Sequence, residues 1–419
     1  YRSQSMLVVP IRNHEDEVIA VLQLINAKDP RTGAVIPFSA GNIERTRALA
    51  SQAGVALTNA RLIHDLEAFV EGLIQAMATA VDEKSHYTHG HIQRVTRLAL
   101  LLAQAVNEHG GAEFEGQRLS NDELEELRVA GMLHDIGKIV VPEHVVDKGT
   151  KLQCVYDRIE TIRTRFALVR RSIENEALRR KLELVRSGAG EEALAAVDAE
   201  TESRLSALAD DLAFLERINP GSESMAPEDV ERLRAIAAQT YRDENGATQP
   251  LLTQNEATNL AIPRGTLLPE EFALVRAHAA VSARLLRQIP FARKLRNVPV
   301  FAGDHHEALD GSGYPEHKTA NALPLQSRIL AVVDVFDALT SSDRPYKKAY
   351  DVPLAYQILR EDARRGKLDG RLVELFIAAD CYGRWRREET RTDAANNTQS
   401  SGENPPADVS RAAPAGVRT

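Results

Sequence analysis

The sequence of 419 residues contains only two cysteines, Cys154 and Cys381, which are far apart and do not form a CxxC motif. A disulfide framework or a zinc site built from thiolates is therefore not expected. No stretch reaches the roughly 18 uninterrupted apolar residues that a membrane-spanning helix needs, and the N-terminus lacks the basic and apolar regions of a signal peptide. These absences predict a cytoplasmic protein without a membrane span.

The chain also has fewer cationic than acidic residues, and few aromatic residues. It has 52 Lys and Arg against 60 Asp and Glu, for a formal net charge of −8. This balance argues against binding of a DNA or RNA polymer, because a phosphate backbone attracts a basic surface. A small anionic ligand stays compatible, since a few local cations around a metal can hold it. The aromatic share is 5%, while Leu, Ala, Arg and Glu are abundant, which favours a mainly α fold.

Residues 1–62 begin with two apolar runs, "SMLVVPI" and "VIAVLQLINA", separated by a polar turn, which predicts a β-hairpin. The pattern then becomes helical, with a predicted linker helix at 63–80. One seam of this helical stretch consists of Val55, Asn59, Leu62, Leu66, Phe69 and Leu73, spaced three and four apart. Two interpretations stay open: the helix pairs with its copy in a homodimer, or it folds onto its own domain.

A long insert at about 153–265 separates two parts of the chain that are rich in polar motifs. Its apolar residues alternate four and three apart in two stretches, which predicts an antiparallel helical hairpin with coiled-coil packing. The segment 243–265 is polar and interrupted by Pro and Gly, so we expect a loop there. Residues 385–419 have no apolar period and are expected to form a disordered tail.

The stretch "GMLHDIGK" places His134 next to Asp135 after an apolar helical run. Adjacent residues on a helix diverge by about 100°, so the pair can share a site only near a helix end or bend. An HD dipeptide alone is frequent by chance. Other motifs add further candidate ligands on amphipathic helical stretches, namely His91, His278, His305, His306 and Asp334.

Imidazole and carboxylate ligands together suit iron, manganese or zinc. Seven such residues are too many for one tetrahedral ion. A carboxylate can bridge two metals, and two ions about 3.5–4 Å apart are the usual arrangement for displacement at phosphorus. The sequence therefore predicts a dinuclear site for phosphate chemistry.

The motifs "HDIGK", "HHEALDGSGYP" and "RPYK", in this order, resemble the HD-GYP family of HD phosphohydrolases. The resemblance covers about residues 70–152 and 266–384, and residues 1–62 resemble the C-terminal half of a GAF sensory domain whose first half we expect upstream of Tyr1. It implies an HD-type helical bundle at 81–384, interrupted by the insert. It also implies a phosphodiesterase that hydrolyses the bacterial second messenger cyclic di-GMP to pGpG or, by a second cleavage, to GMP; which of the two is the end product stays open.

The resemblance also implies roles for individual residues. One metal, expected to be iron or manganese, is surrounded by His91, His134, Asp135 and Asp334, and Asp135 bridges to a second metal held by His278, His305 and His306. Lys138 is expected to contact the scissile phosphate or the bridging hydroxide. Tyr314 is expected to support its loop against the ligand, and Arg344 and Lys347 to bind the phosphates and guanine. Asp310 is expected to stabilise the turn through its own backbone.

The sequence departs from the family pattern at some positions. Tyr87 stands where some members carry a glutamate for a third metal, so two metals are expected, with His86 and His89 as candidate peripheral ligands. Ala279 stands where the family usually has proline. Two rival functions stay open: an HD hydrolase of another cyclic dinucleotide, and a non-catalytic cyclic di-GMP receptor or signalling scaffold.

Overall fold

The computed structural model describes residues 2–84, 90–109, 111–221, 224–243, 245–341 and 349–400. The chain divides into two compact units, Tyr1–Ala76 and Met77–Thr419. This boundary lies inside the stretch predicted as the linker helix. No helix in the described ranges is both long and apolar enough to cross a membrane.

The first unit begins with the predicted hairpin. Strands β1 (Met6–Arg12) and β2 (Val18–Ile25) are antiparallel. The side chain of Asn13 closes the turn between them by accepting hydrogen bonds from the backbone N–H groups of residues 15 and 17, at 3.0 and 2.8 Å. Helix α1 (Ala40–Asp82) follows, and its Ala50 packs with Val9 of β1 in a small apolar core.

Helix α1 carries the predicted apolar seam. The described chain leaves its five apolar residues between 49% and 67% exposed, namely Val55, Leu62, Leu66, Phe69 and Leu73. The described residues of the first unit therefore do not cover this seam.

The second unit is helical, which confirms the predicted mainly α fold. Its elements in chain order are α2 (His91–His109), α3 (Asn121–Leu133), α4 (Glu143–Val146), α5 (Ile159–Arg186), α6 (Glu191–Ile218), α7 (Pro227–Ala237), β3 (Thr240–Arg242), β4 (Thr248–Pro250), α8 (Gln254–Leu260), α9 (Pro269–Leu286), α10 (Val298–Asp304), α11 (Leu325–Thr340), α12 (Val352–Arg364), α13 (Gly370–Ala378) and α14 (Cys381–Ser400). Short 3₁₀ helices lie at Gly111–Phe114, Ile136–Val140, Arg293–Leu295 and Ala320–Ala322.

The centre of the second unit is a bundle in which α2 packs against α3 and α11, and α10 packs against α3, α9 and α11. On α2, Val95, Leu98 and Leu102 recur three and four apart and are buried, so this face meets the core. Helix α3 starts with a capping box, in which Ser120 accepts from the backbone of Glu123 and the Glu123 carboxylate accepts from the backbone of Ser120. These local signals place the helices that carry the polar motifs.

The insert forms the predicted helical hairpin. Helices α5 and α6 are antiparallel, because Arg180 pairs with Glu200 near the connecting turn while Arg163 pairs with Glu216 near the open end. Their inner faces share an apolar core with α7 and α8 that includes Ile162, Phe166, Phe214, Leu215, Leu233 and Leu260. The insert therefore has a core of its own rather than being a bare coiled coil.

The prediction of a loop at 243–265 is wrong, because this segment contains strand β4 and helix α8. A capping box between Thr253 and Glu256 starts α8. Leu251 and Leu252 are buried just before it, so apolar anchors outweigh the polar composition of the segment.

The predicted disordered tail also begins too early, because α14 continues to Ser400. Arg97 of α2 binds Glu388 of α14 with two contacts of 2.7 Å, and Arg386 pairs with Glu389 one turn later. These ion pairs support a helix that has no apolar period. Residues 401–419 lie outside the described ranges.

Candidate metal centre

His134 and Asp135 lie at a bend of the backbone. Helix α3 ends at His134, and Asp135 precedes the 3₁₀ helix Ile136–Val140. The change of direction lets both side chains face one site, with His134 Nε2 3.3 Å from Asp135 Oδ2. This is the helix end that an adjacent His-Asp pair needs in order to share a ligand.

The other candidate ligands come from four helices. His91 is the first residue of α2, His278 is on α9, His305 and His306 follow α10, and Asp334 is on α11. Of the seven candidate ligands, all but His306 are at most 8% exposed. Residues from distant parts of the sequence therefore meet in the interior of the bundle.

The two carboxylate oxygens of Asp135 face different histidines. Oδ2 lies 3.4 Å from His91 Nε2 as well as close to His134. Oδ1 lies 3.3 Å from His278 Nε2 and 3.9 Å from His305 Nε2. Asp135 therefore lies between two sets of imidazoles.

Potential donor atoms form two compact groups, each within 4.8 Å. One group contains His91, His134 and Asp135, and the other contains His278, His305 and His306. Asp334 lies between them, with Oδ1 3.3 Å from His91 Nε2 and Oδ2 3.7 Å from His306 Nδ1. The division of the ligands between two ions stays a prediction, and Asp334 approaches both groups.

Four of the imidazoles use Nδ1 for contacts with the protein and turn Nε2 towards the centre, namely those of His91, His134, His278 and His305. Nδ1 of His134 and of His305 each lies 2.7 Å from the backbone carbonyl three residues earlier, and Nδ1 of His278 makes the same kind of contact. Nδ1 of His91 lies 2.7 Å from Asp337 Oδ2. A donated Nδ1–H fixes the tautomer in which Nε2 carries a lone pair for a metal.

Several central atoms lack a compensating partner. Among the described residues, the buried atoms His134 Nε2 and Asp135 Oδ1 have no hydrogen bond. Nε2 of His278 and Nε2 of His305 face each other at 3.3 Å, and both are acceptors in the tautomer just described. Buried acceptors that converge in this way need a cation between them, so the residues fit a metal centre.

The charge states of these groups also suit a metal. Burial lowers the pKa of His305 well below the ordinary value, and burial lowers the pKa of His306 to about 4, so both imidazoles are neutral ligands near pH 7. Burial would raise the pKa of Asp135, but Lys138 and His134 outweigh it and hold that pKa well below 3.8. The carboxylate is therefore ionised.

The pKa of His91 reflects the negative charge of the carboxylates at the centre. Burial would lower its pKa, but contacts with the carboxylates of Asp135, Asp334 and Asp337 raise the pKa of His91 well above the ordinary value. A cation bound at Nε2 of His91 would neutralise the same charge that otherwise favours a proton there.

Lys138 lies on the 3₁₀ helix one turn after the His-Asp pair. Its Nζ is 2.6 Å from Asp135 Oδ2, and its side chain is about one fifth exposed. The family resemblance implies that Lys138 contacts the scissile phosphate or the bridging hydroxide, which stays a prediction; in the structure its ammonium contacts the Asp135 carboxylate. Lys84 anchors the same 3₁₀ segment by donating to the backbone carbonyls of residues 138, 139 and 141.

The loop after His306 folds back over the site. The Glu307 carboxylate accepts hydrogen bonds from the backbone N–H groups of residues 316 and 318. A β-carbon at Gly313 would lie 2.2 Å from the backbone nitrogen of residue 308, so only glycine fits this close approach. The Tyr314 ring lies 4.8 Å from the His306 ring, and Asp310 caps the turn by accepting from the Ser312 backbone.

Comparison with known protein families identifies the domains in which these residues lie. Family models for the HD domain match residues 88–237 and 253–372. A model for the GAF domain matches residues 1–57. This chain contains an HD domain and a GAF segment. Both expectations from the sequence motifs are confirmed, and the candidate metal centre lies in the HD domain.

Curated relatives, among them the following three, match parts of this chain. The 3′3′-cGAMP-specific phosphodiesterase 1 of Vibrio cholerae is 36% identical over 27% of this chain and 25% of its own length. The cyclic di-GMP phosphodiesterase response regulator RpfG of Xanthomonas campestris is 40% identical over 27% of this chain and 29% of its own. A cyclic di-GMP phosphodiesterase of Thermotoga maritima is 33% identical over 33% of this chain and 38% of its own. The matched regions thus span about a quarter to two fifths of these relatives.

The HD domain also contains supporting residues that the sequence motifs did not identify. Asp337 orients His91 and accepts from Arg94 Nε at 2.8 Å. The Ser282 hydroxyl accepts from the backbone N–H of Gly137 at 2.9 Å and donates to the carbonyl of His134 at 2.7 Å. Asp337 follows Asp334 by about one helical turn, so the sequence alone could have suggested that it lies on the same face of the helix. We find no such sequence signal for Ser282.

Some predicted residues of the HD domain lie outside the described ranges. They are the predicted substrate ligands Arg344 and Lys347, and the positions His86, Tyr87 and His89. Their predicted roles stay predictions. Ala279, which stands where the family usually has proline, is buried within α9 and does not displace His278 from the centre.

Proposed function

We propose that this protein is a metal-dependent phosphodiesterase that hydrolyses cyclic di-GMP. The observation that carries the proposal is the position of Asp135, whose two oxygens face two separate sets of buried histidines. A carboxylate between two donor sets supports a dinuclear site, and dinuclear sites suit displacement at phosphorus.

The proposed ligand sets are those that the family resemblance implies, and the two compact groups of donor atoms support them. His91, His134, Asp135 and Asp334 would hold one divalent ion, and His278, His305, His306 and Asp135 would hold the other. Iron and manganese are the ions that we propose, because imidazole and carboxylate donors suit both and no cysteine lies among the seven ligands. When bound, the two ions supply Lewis acidity that activates water and stabilises charge on phosphate oxygens.

Lys138 would act on the leaving group. Its ammonium lies 2.6 Å from Asp135 Oδ2, and its side chain is about one fifth exposed. In this position it can neutralise charge on the departing 3′-oxygen as the phosphodiester bond breaks. The products would be pGpG and, after a second cleavage, GMP.

The proposed substrate rests on the motifs and on the relatives. Two of the relatives are named cyclic di-GMP phosphodiesterases. Tyr314, beside His306, would support the ligand, while Arg344 and Lys347 would bind its phosphates and guanine. An arginine fork suits both partners because it makes paired hydrogen bonds.

A second candidate substrate is 3′3′-cGAMP, because another relative is named as specific for it. Cyclic di-GMP has two guanines, whereas 3′3′-cGAMP has one guanine and one adenine. None of the described residues is proposed to bind the edge of this second purine. Comparing kcat/KM for the two cyclic dinucleotides on one preparation would distinguish them. If kcat/KM is at least about tenfold higher for 3′3′-cGAMP, a difference of about 1.4 kcal/mol in transition-state binding, then 3′3′-cGAMP replaces cyclic di-GMP as the proposed substrate.

A non-catalytic receptor is the remaining alternative, and Asp135→Asn tests it. We expect this variant to lose cyclic di-GMP turnover by at least about a hundredfold while it stays folded, because the substitution removes the shared negative charge. Exposed Asp122 on α3 provides a matched control, Asp122→Asn. Metal-loaded wild-type protein that binds the nucleotide without cleaving it would favour the receptor.

We also propose that the protein forms a homodimer through α1. The support is the exposed apolar seam at heptad spacing, which includes Leu66, Phe69 and Leu73. Phe69→Glu should shift sedimentation at micromolar concentration from dimer to monomer, whereas Ala68→Glu, one residue off the seam, should not. A wild-type monomer under these conditions would contradict the proposal.

A further inference from the structure

Arg276 of α9 lies beside the loop that covers the metal centre. Its guanidinium carbon is 4.4 Å from the centre of the Tyr314 ring. Tyr314 in turn contacts the His306 ring at 4.8 Å. Arg276, Tyr314 and the candidate ligand His306 therefore form a continuous row of side chains that leads out of the site.

Arg276 differs from the other cations near the centre. Lys138 is paired with Asp135, and Arg94 is paired with Asp337. Within the described ranges, no carboxylate is within salt-bridge distance of Arg276, and its guanidinium lies over the rings of Tyr314 and Phe272. A half-buried guanidinium held over an aromatic ring keeps its N–H donors for another partner.

The substrate class supplies such a partner. A cyclic dinucleotide has two phosphodiester groups, and only one of them can lie at the metal centre during a cleavage. The second group keeps its negative charge and lies away from the metal ligands, where it needs a separate cationic partner. A planar guanidinium a short distance from the metal ligands can form paired hydrogen bonds with this phosphodiester.

We propose that Arg276 binds the phosphodiester of the cyclic dinucleotide that is not being cleaved, and that Tyr314 holds the guanidinium in place for this contact. The inference rests on the proposed function and adds a substrate-positioning residue to it. Arg276 contributes to binding and orientation, while the reacting groups are the ones described above.

The test compares Arg276→Gln and Arg276→Lys with the wild type. The substrates are cyclic di-GMP, 3′3′-cGAMP and bis(4-nitrophenyl) phosphate, which has one phosphodiester and no second. For the preferred cyclic dinucleotide we expect Arg276→Gln to raise KM about 10- to 100-fold, the loss that follows removal of a hydrogen bond to a charged group. We expect kcat to change less than about threefold.

Two comparisons separate positioning from a structural role. Turnover of bis(4-nitrophenyl) phosphate should be unchanged in Arg276→Gln, and Arg276→Lys should restore part of the lost affinity because it keeps the charge. Arg284→Gln, an exposed arginine two turns later on the same helix, is the matched control and should behave as wild type.

Distinct results would overturn the inference. An unchanged KM for the cyclic dinucleotide would exclude the contact, and an equal loss on bis(4-nitrophenyl) phosphate would reduce Arg276 to a support for the loop. In both cases the proposed function would stand. Wild-type protein that cleaves bis(4-nitrophenyl) phosphate but neither cyclic dinucleotide would overturn the proposed function and this inference together.

Discussion

Asp337 offers a sharp test of how the metal centre is built, because it contacts a ligand without belonging to either donor group. Its carboxylate accepts from His91 Nδ1 at 2.7 Å and from Arg94 Nε at 2.8 Å. Asp337→Asn keeps the size of the side chain but has one acceptor oxygen and an NH₂ group that can only donate. The NH₂ group of the new asparagine must then face either the Nδ1–H of His91 or the Nε–H of Arg94, so that two hydrogen-bond donors oppose each other.

The magnitude follows from that loss. A hydrogen bond to a charged group contributes about 1.5–3 kcal/mol, and 1.4 kcal/mol is a tenfold change in an equilibrium constant. Loss of a residue that orients a metal-bound histidine costs roughly 10- to 100-fold in metal affinity or activity. We therefore expect the affinity for the ion beside His91 to fall about 10- to 100-fold, while the ion beside His305 keeps its affinity.

The assay is titration of metal-free protein with Mn²⁺ against a competing chelator, with circular dichroism to confirm folding. Asp122→Asn, an exposed substitution of the same type, is the control and should bind both ions as the wild type does. Wild-type affinity for both ions in Asp337→Asn, with unchanged turnover, would refute the assigned role of Asp337.

Three further predictions concern the supports of the site and of the insert. Gly137→Ala places a β-carbon 2.0 Å from the carbonyl of His278, so activity should fall by at least about tenfold and the free energy of unfolding by about 1–3 kcal/mol, whereas Gly72→Ala, in open space, should cost nothing in thermal melts. Lys84→Met removes three contacts to the carbonyls around the 3₁₀ helix, so kcat should fall more than KM changes; an unchanged kcat would contradict this. Burial would raise the pKa of Glu256, but its arginine partner outweighs this and lowers that pKa, so the ion pair stabilises the fold above about pH 4.5 and is lost as pH falls through the lowered pKa. Glu256→Gln should therefore lower stability at pH 7 by about 1.5–3 kcal/mol and flatten its fall between about pH 5 and 3, as measured by urea unfolding.

The candidate ligands could be predicted from the sequence because each is carried by a local signal. The His134–Asp135 pair follows an apolar helix and precedes glycine, and the structure has the required bend at this point. His278 lies on an amphipathic helix, and Asp334 directly follows the buried apolar run at 329–333, so both are expected in the interior of the bundle. Histidine and aspartate at such positions are recognisable without knowledge of the tertiary contacts.

The supporting residues could not be predicted in the same way. Ser282 acts through atoms of residues 134 and 137, which are more than 140 positions away in the chain. Its role exists only once α9 packs against the 3₁₀ helix. In the insert, α8 was missed because two buried leucines and a capping box outweigh a polar composition, and composition does not record which residues are buried.

The measurement that tests the central claim most directly is cyclic di-GMP turnover by anaerobically purified protein, with metal content determined on the same samples. Samples with graded metal loading should release pGpG or GMP in proportion to the chains that hold about two ions. Full activity at one ion per chain, or no cleavage by fully loaded protein, would contradict the account of a dinuclear phosphodiesterase.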